Sequence, residues 1–329
     1  MLDPCSERGS DAARRYHLIR GAIFGHVIGD ALGVPVEFVP RQRLCLHPVG
    51  GMLDGGAYGT HHQPAGTWSD DSSMTLCALE SLTVCGGYDG ADMMERFARW
   101  AREGYMTSTG RAFGIGRTTF SALCRFRRGG SSAGYGGSGE RDNGNGSLMR
   151  ILPVVLFNFF SKTAGSDEKK LETVYQASQL THAHPRTLAA CGIYSFIASQ
   201  LLCSAEMSSV RLGLERGEEF YQGHGEYPHF AGLFSRDFAS LPVEAIKSGG
   251  YVVDTLEAAV WCLMNTSSYQ DCVLKAVNLG GDTDTIAAVA GGLAGILYGE
   301  AALPEEWTAQ LADSSRIDRL CKEAAEVWG

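Results

Sequence analysis

The chain has 329 residues, of which 44% are hydrophobic and 20% charged, enough apolar side chain for a large buried core. Lys and Arg number 28 against 37 Asp and Glu, a net charge of −9 that disfavours general binding to nucleic acid or to anionic membranes. No C-x-x-C pair occurs among the 10 cysteines, and the N-terminus MLDPCSERGSDAARRYHLIR lacks the apolar stretch of a signal peptide, so a reduced, cytoplasmic protein is expected, not a zinc ribbon or a secreted disulfide scaffold.

Residues 1–14 are polar and read as a flexible N-terminus, with a single domain over 15–329. From Arg15 to Gly33 the apolar residues Leu18, Ile19, Ala22, Ile23, Val27, Ile28 and Leu32 recur at helical spacing. Gly21, Gly25, Gly29 and Gly33 share one ridge of that helix. Each glycine weakens a helix by about 1 kcal/mol relative to alanine, so the ridge suits close approach by another element. Gly33-Val34-Pro35 should end the helix. A loop over 34–68 follows, carrying Glu37 between Val36 and Phe38, and His61 and His62, which read as loop histidines. Helices are expected from Ser69 or Asp70 to about Cys85 and over 90–103, then a Gly/Thr-rich turn from Tyr105 to Thr119 and a short helix. The biased stretch RGGSSAGYGGSGERDNGNG, 128–146, reads as a functional or disordered loop. A Leu/Val/Phe run begins at Ser147, and helices are expected at about 168–182, 185–204 and 206–221, with mixed loop over 222–249. The last helices fall at about 251–264, 269–278, 283–298 and the C-terminus. The apolar run Ile286 to Gly299 falls short of the roughly 20 residues of a membrane span. Its Ala287, Gly291, Gly295 and Gly299 form a second ridge of small residues, predicted to pack on the first. With no βαβ rhythm and no tandem repeat, the fold class is all-α, a compact single-domain helical bundle.

Two segments concentrate carboxylates at predicted helix starts: GTWSDDSS, with Ser69, Asp70 and Asp71, and GGDTDT, with Asp282, Thr283, Asp284 and Thr285. Either alone fits ordinary capping, because Ser, Thr and Asp suit the N-cap and acids complement the helix dipole. Residues two apart do not share a helix face, so Asp282 and Asp284 converge only if their segment is a turn entering the helix. Four acids brought together repel unless a cation intervenes. Hard oxygen donors select Mg²⁺, Mn²⁺ or Ca²⁺, and this many carboxylates suggests a central dinuclear metal site. A third acidic element, GDALGVPVEF, holds Asp30 and Glu37. A carboxylate between apolar neighbours suits proton transfer, which makes Glu37 a candidate acid–base residue.

Taken together, GAIFGHVIGDALGVPVEF, GTWSDDSSM, NGNGSLMRILPV, THAHPRT, GYVVDTLEAAVW and NLGGDTDTIAAVAGGLAGILYG resemble the ADP-ribosylglycohydrolases, in that family's order and over about residues 20–300. YMTSTGRAFGIGRTT and NGSLMRILPVVL are most similar to the bacterial branch that reactivates dinitrogenase reductase by removing ADP-ribose from arginine. The resemblance implies an all-helical enzyme with two divalent cations, Mg²⁺ or Mn²⁺, held by Ser69, Asp70, Asp71, Asp282, Asp284 and Thr285. It implies that Glu37 is the mobile glutamate and that Glu37, Asp71 and Asp284 are catalytic. The implied partners are an ADP-ribosylated protein substrate and the released ADP-ribose, without nucleic acid or membrane insertion. Gly114, Gly116 and Thr118, with Asn143, Gly146 and Ser147, are candidates to cradle the diphosphate. Tyr251 is a candidate to stack on adenine, and His182 or His184 to face the ligand. Two positions depart from the pattern. Ser69 stands where threonine is usual and keeps the hydroxyl; Gly114 stands where the bacterial branch reads the acid of F-D-I-G. A dinuclear nucleotide phosphoesterase and a non-catalytic ADP-ribose-binding relative are the alternative readings of the same residues.

Overall fold

Glycine at every fourth position strips one face of a helix of side chains, and such a face admits a second backbone at contact distance. The computed structural model describes residues 4–53, 60–129, 134–162 and 165–329, with side chains from residue 11 onward. In chain order its helices are α1 (Pro4–Gly33), α2 (Arg41–Leu46), α3 (Asp70–Cys85), α4 (Gly90–Glu103), α5 (Arg117–Arg127), α6 (Leu152–Phe160), α7 (Asp167–Gln179) and α8 (Pro185–Cys203). They continue as α9 (Met207–Tyr221), α10 (Ala231–Phe234), α11 (Val252–Met264), α12 (Tyr269–Val277), α13 (Thr283–Tyr298), α14 (Glu305–Gln310) and α15 (Ser314–Val327). Among the described residues there is no β-strand. Two isolated bridges, Gly137 with His182 and Gly144 with Tyr251, tie loops together.

The two glycine ridges meet as expected. A Cβ on Gly25 would lie 2.4 Å from Gly291 O, one on Gly29 2.1 Å from Ala287 O, and one on Gly33 2.3 Å from the backbone of Asp284. The pair is antiparallel: Gly21 faces Gly295 at one end and Gly33 faces Asp284 at the other. Tyr269 of α12 seals the seam, its hydroxyl donating to Gly25 O (2.7 Å). Every residue of α13 from Thr283 to Leu297 is buried, so this helix is the centre of the core. α1, α3, α8, α11 and α12 pack against it, and together with α6 and α15 they supply Leu, Ile, Val and aromatic side chains to one continuous cluster.

Several boundaries differ from the sequence expectation. α1 begins at Pro4, well before Arg15; the intervening Glu, Ala and Arg residues are good helix formers. The expected loop over 34–68 contains α2 and a 3₁₀ turn at Val34–Val36. Residues 54–59 of that loop, residues 130–133 of the glycine-rich stretch and residues 1–3 lie outside the described residues. Two segments, Asp11–Val36 and Pro185–Cys203, are apolar and long enough to cross a membrane, a property the run Ile286 to Gly299 lacks. Their apolar windows are 94% and 72% buried within the fold, which makes them core helices.

Candidate active site

The start of α3 is held from outside itself. A helix N-terminus leaves backbone N–H groups without partners. Asp30 of α1 takes two of them, accepting from Ser69 N (3.0 Å) and Ser72 N (3.0 Å), and also from Ser72 Oγ (2.6 Å). Ser69 caps the helix, its Oγ accepting from Asp71 N (3.3 Å) while donating to Asp71 Oδ2 (3.0 Å). Asp70 and Asp71 are thereby fixed in the first turn, both buried. Sequence reasoning noticed Asp30 without giving it this bracing role; the contact spans α1 and α3 and has no local signature.

The GGDTDT segment is a turn entering a helix, the condition under which its two acids can converge. Gly280 and Gly281 have φ of +71° and +75°, a region that favours glycine. Thr283 Oγ1 donates to Gly33 O (2.8 Å), which joins the start of α13 to the end of α1. Phe38 N donates to Gly281 O (2.6 Å) and Gly281 N to Val39 O (3.0 Å), so the loop bearing Glu37 is sewn to the same turn. Asn145 Nδ2 donates to Asp282 Oδ2 (2.7 Å).

These links bring acids from both ends of the chain together. Carboxylate oxygens of Asp30, Asp71 and Asp284 lie within 4.8 Å of one another, as do those of Glu37, Asp282 and Asp284, so Asp284 belongs to both groups. Burial raises the Asp30 carboxyl to about 6, against the opposing pull of its Ser72 and Ser69 donors. Asp70 is raised well above the usual range by burial and then by the charges of Asp71, Asp30 and Glu37. Asp71 is raised by burial and by Asp30 and Asp282, and Asp284 by burial and by Glu37, Asp71, Asp282 and Asp30. Asp71 Oδ1 is buried with no hydrogen-bond donor. Repelling carboxylates and an orphaned oxygen are the donor set that a hard divalent cation satisfies. The residues present therefore fit such an ion.

The cluster forms the floor of a cavity of about 340 Å³. Glu37, Asp70, Asp71, Asp282, Asp284 and Thr285 line it, and so do Gly114, Gly116, Thr118, Gly146 and His182 of the expected ligand-binding set. Ser69, Asn143, Ser147 and Tyr251 do not. Ser147 is wholly buried with its hydroxyl 2.7 Å from Ser178 Oγ, so its side chain faces the core and not the cavity. The Asn143 carbonyl accepts from Val252 N (3.1 Å), and its side-chain amide points to Glu140. Tyr251 caps α11 beside the wall residues Gly144 and Gly250, with the Arg186 guanidinium 5.9 Å from its ring centroid. Of the two histidines in THAHP, His182 faces the cavity. His184 instead caps α8, accepting from Arg186 N (3.1 Å).

Gly114 has φ of +81°, and a Cβ there would sit 2.2 Å from Asp70 Oδ1. The departure from F-D-I-G thus lets bare backbone rest against Asp70, where a side chain would collide. His61 is a site residue that the sequence did not reveal. Its Nε2 pairs with the Glu37 carboxylate, and its ring stands 5.1 Å from that of Phe113. The bond to Glu37 raises the imidazole above its ordinary range. Phe38, next to Glu37 on the cavity wall, is 71% exposed with a left-handed φ of +63°.

The same assembly has relatives. The chain is 34% identical to the ADP-ribosylarginine hydrolase Tri1 of Serratia proteamaculans, across 92% of this chain and 78% of that protein. It is 31% identical to the ADP-ribosyl-[dinitrogen reductase] glycohydrolase of Rhodospirillum rubrum, across 88% of this chain and 89% of that one. A solved structure described as an ADP-ribosylglycohydrolase-related protein complex superposes with a TM-score of 0.79 at 30% identity, covering 96% of this chain and 99% of that chain. The ADP-ribosylglycohydrolase family model matches residues 11–329, a span that takes in both acidic segments, the glycine ridges and the cavity. This chain therefore belongs to the ADP-ribosylglycohydrolase family, enzymes that hydrolyse the glycosidic bond of ADP-ribose.

Proposed function

We propose that the protein removes ADP-ribose from an arginine side chain of a modified protein, by hydrolysing the N-glycosidic bond with two divalent cations, Mg²⁺ or Mn²⁺, in the carboxylate cluster. The observation that carries this reading is the meeting of two carboxylate triplets at Asp284, on the floor of a cavity with glycine-rich walls. The names of the relatives from Serratia proteamaculans and Rhodospirillum rubrum support the linkage to arginine. Asp70, Asp71, Asp282, Asp284 and Thr285 are the residues that would hold the ions, with Ser69 bracing Asp71. When bound, the ions supply positive charge that keeps these carboxylates ionised and polarises ribose oxygens.

The protein's own groups do the rest. Gly114, Gly116, Gly144 and Gly146 present backbone without side chains to the cavity, which suits a diphosphate approaching main-chain N–H groups. Glu37 stands on the wall beside the cluster and handles the proton exchanged between water and the departing guanidine. His61 holds its carboxylate in place. His61→Ala is expected to cut kcat/KM about tenfold, in line with losing one hydrogen bond to a charged group. Folding should survive, because the His61 side chain is 23% exposed and its ring partner, Phe113, is itself only partly buried; steady-state kinetics and a melting curve on the variant check both parts. We assign the reaction to the cytoplasm, where the exposed thiols of Cys45, Cys85 and Cys203, which are unpaired, stay reduced.

The test is a release assay on arginine-, serine- and cysteine-linked ADP-ribose with Mg²⁺ and with Mn²⁺. Release from the arginine linkage is expected. Release from serine alone would overturn the arginine assignment, and no release from any linkage would overturn the hydrolase mechanism.

A further inference from the structure

Arg150, from the NGNGSLMR segment, is 1% exposed and has no carboxylate partner among the described residues. A buried charge without a counter-charge costs several kcal/mol, and an apolar side chain would fill the same space more cheaply. The guanidinium lies 4.6 Å from the centre of the Phe97 ring. Its Nη1 donates to Ala177 O (3.1 Å) and its Nη2 to Thr181 Oγ1 (2.7 Å). The second bond has a consequence for the cavity.

Thr181 Oγ1 also lies 2.8 Å from Nδ1 of His182. A guanidinium has no acceptor, so the Thr181 oxygen must accept from Arg150. If it also accepted from His182, its own proton would be buried with nowhere to go, because Thr181 is wholly enclosed and makes no other side-chain bond. The arrangement that gives both the Thr181 hydroxyl and His182 Nδ1 a partner runs one way: Arg150 donates to Thr181, and Thr181 donates to His182 Nδ1. The ring proton of His182 then sits on Nε2. The edge of the ring bearing Cε1 and Nε2 faces the bare backbone of Gly146, where a Cβ would lie 2.7 Å and 3.2 Å from those atoms, on the cavity wall.

We propose that Arg150 is a positioning residue that, through Thr181, fixes His182 as the Nε2–H tautomer and so presents a ring N–H donor to a phosphate oxygen of ADP-ribose. The proposal rests on the reading that ADP-ribose occupies this cavity. Burial, with the charges of Arg150 and Arg117, holds the imidazole down to about 3, so His182 stays neutral across the working range. A neutral donor suits an enzyme that must release a dianionic product.

The test uses the full chain with ¹⁵N-labelled histidine, the His182 signals being assigned by their loss in His182→Asn. In the wild type, Nε2 should carry the proton and Nδ1 none. Thr181→Val removes the relay at nearly constant volume. It should populate the Nδ1–H tautomer and weaken ADP-ribose binding about tenfold, the loss expected for one hydrogen bond to a charged group. The substrate KM should rise more than kcat falls. Thr181→Ser should restore both the tautomer and the affinity, which a purely structural role for Thr181 does not predict. A wild-type Nδ1–H tautomer, or a Thr181→Val variant with wild-type affinity, would overturn the proposal. The tautomer is read without turnover. A chain that shows the Nε2–H signal and binds ADP-ribose but releases none from arginine would refute the arginine assignment and leave the relay in place.

Discussion

Asp284→Asn should lower turnover by about 10³-fold, the equivalent of the several kcal/mol of charge stabilisation that a divalent ion supplies. It should also raise the melting temperature of the ion-free protein. Both effects come from one fact: Asp284 belongs to both carboxylate groups. Without ions its charge is opposed by burial and by Glu37, Asp71, Asp282 and Asp30. Neutralising it relieves that repulsion, while replacing the carboxylate shared by both candidate ion positions with an uncharged amide that keeps only one, weaker oxygen donor. The pH dependence has a definite sign. The folded-state pKa values of Asp30, Asp70, Asp71 and Asp284 lie above the unfolded value, so the folded protein binds more protons. Stability from these groups is fully present below the unfolded value of 3.8 and is lost as pH rises through the folded values, beginning with Asp30 near 6. Bound ions oppose that loss. The melting-temperature gain from Mn²⁺ over a chelator should therefore grow between about pH 5 and pH 8 in the wild type and shrink strongly in Asp284→Asn. Equal gains at both ends of that range, or normal turnover in the variant, would contradict the ion-binding role.

The parts of this site that were legible in the sequence are those with a local physical signature. D-T-D-T after two glycines declares a turn entering a helix, and the structure has that turn, with both glycines at positive φ. The four-residue glycine spacing declares a contact face, and α1 and α13 meet on it. What stayed hidden depends on which distant residue arrives opposite. His61 reads as a loop histidine because nothing near it specifies that its ring reaches Glu37 across the loop. Asp30 reads as one acid among many until α3 is seen to spend its N-terminal donors on it. Asn143 and Ser147 fall outside the cavity lining for the opposite reason. A Gly/Asn-rich run suggests a uniform phosphate cradle, yet only its middle lines the cavity: Gly144, Asn145 and Gly146 face the ligand space while the Ser147 side chain turns inward to Ser178. The early start of α1 follows from residues that favour a helix without any apolar stripe, which periodicity cannot detect.

Gly25→Leu should destabilise the fold by about 3 kcal/mol, the upper end for overpacking, because the obstacle is backbone and not a side chain that can move aside. Already the first added carbon would lie 2.4 Å from Gly291 O and 3.1 Å from Gly295 Cα. Restoring a normal contact requires α1 and α13 to separate, and α13 is enclosed on every side by buried neighbours. The expected fall in melting temperature is roughly 4 °C for a domain of this size. The position along the seam should decide whether activity falls as well. Gly21 lies at the end remote from the carboxylates, and a Cβ there would be 2.8 Å from Gly295 O, the mildest of the clashes. Gly21→Ala should cost stability with turnover preserved in the fraction that remains folded. Gly29 precedes Asp30, and a Cβ there would lie 2.1 Å from Ala287 O. Gly29→Ala should push Asp30 away from Asp284 and lower both turnover and Mn²⁺ affinity beyond what the stability loss explains. The comparison is made with melting curves, Mn²⁺ titration and kinetics at a temperature where every variant is folded. If Gly25→Leu melted with the wild type, or if Gly21→Ala and Gly29→Ala damaged the site equally, close helix approach would not be what holds the two acidic segments in register.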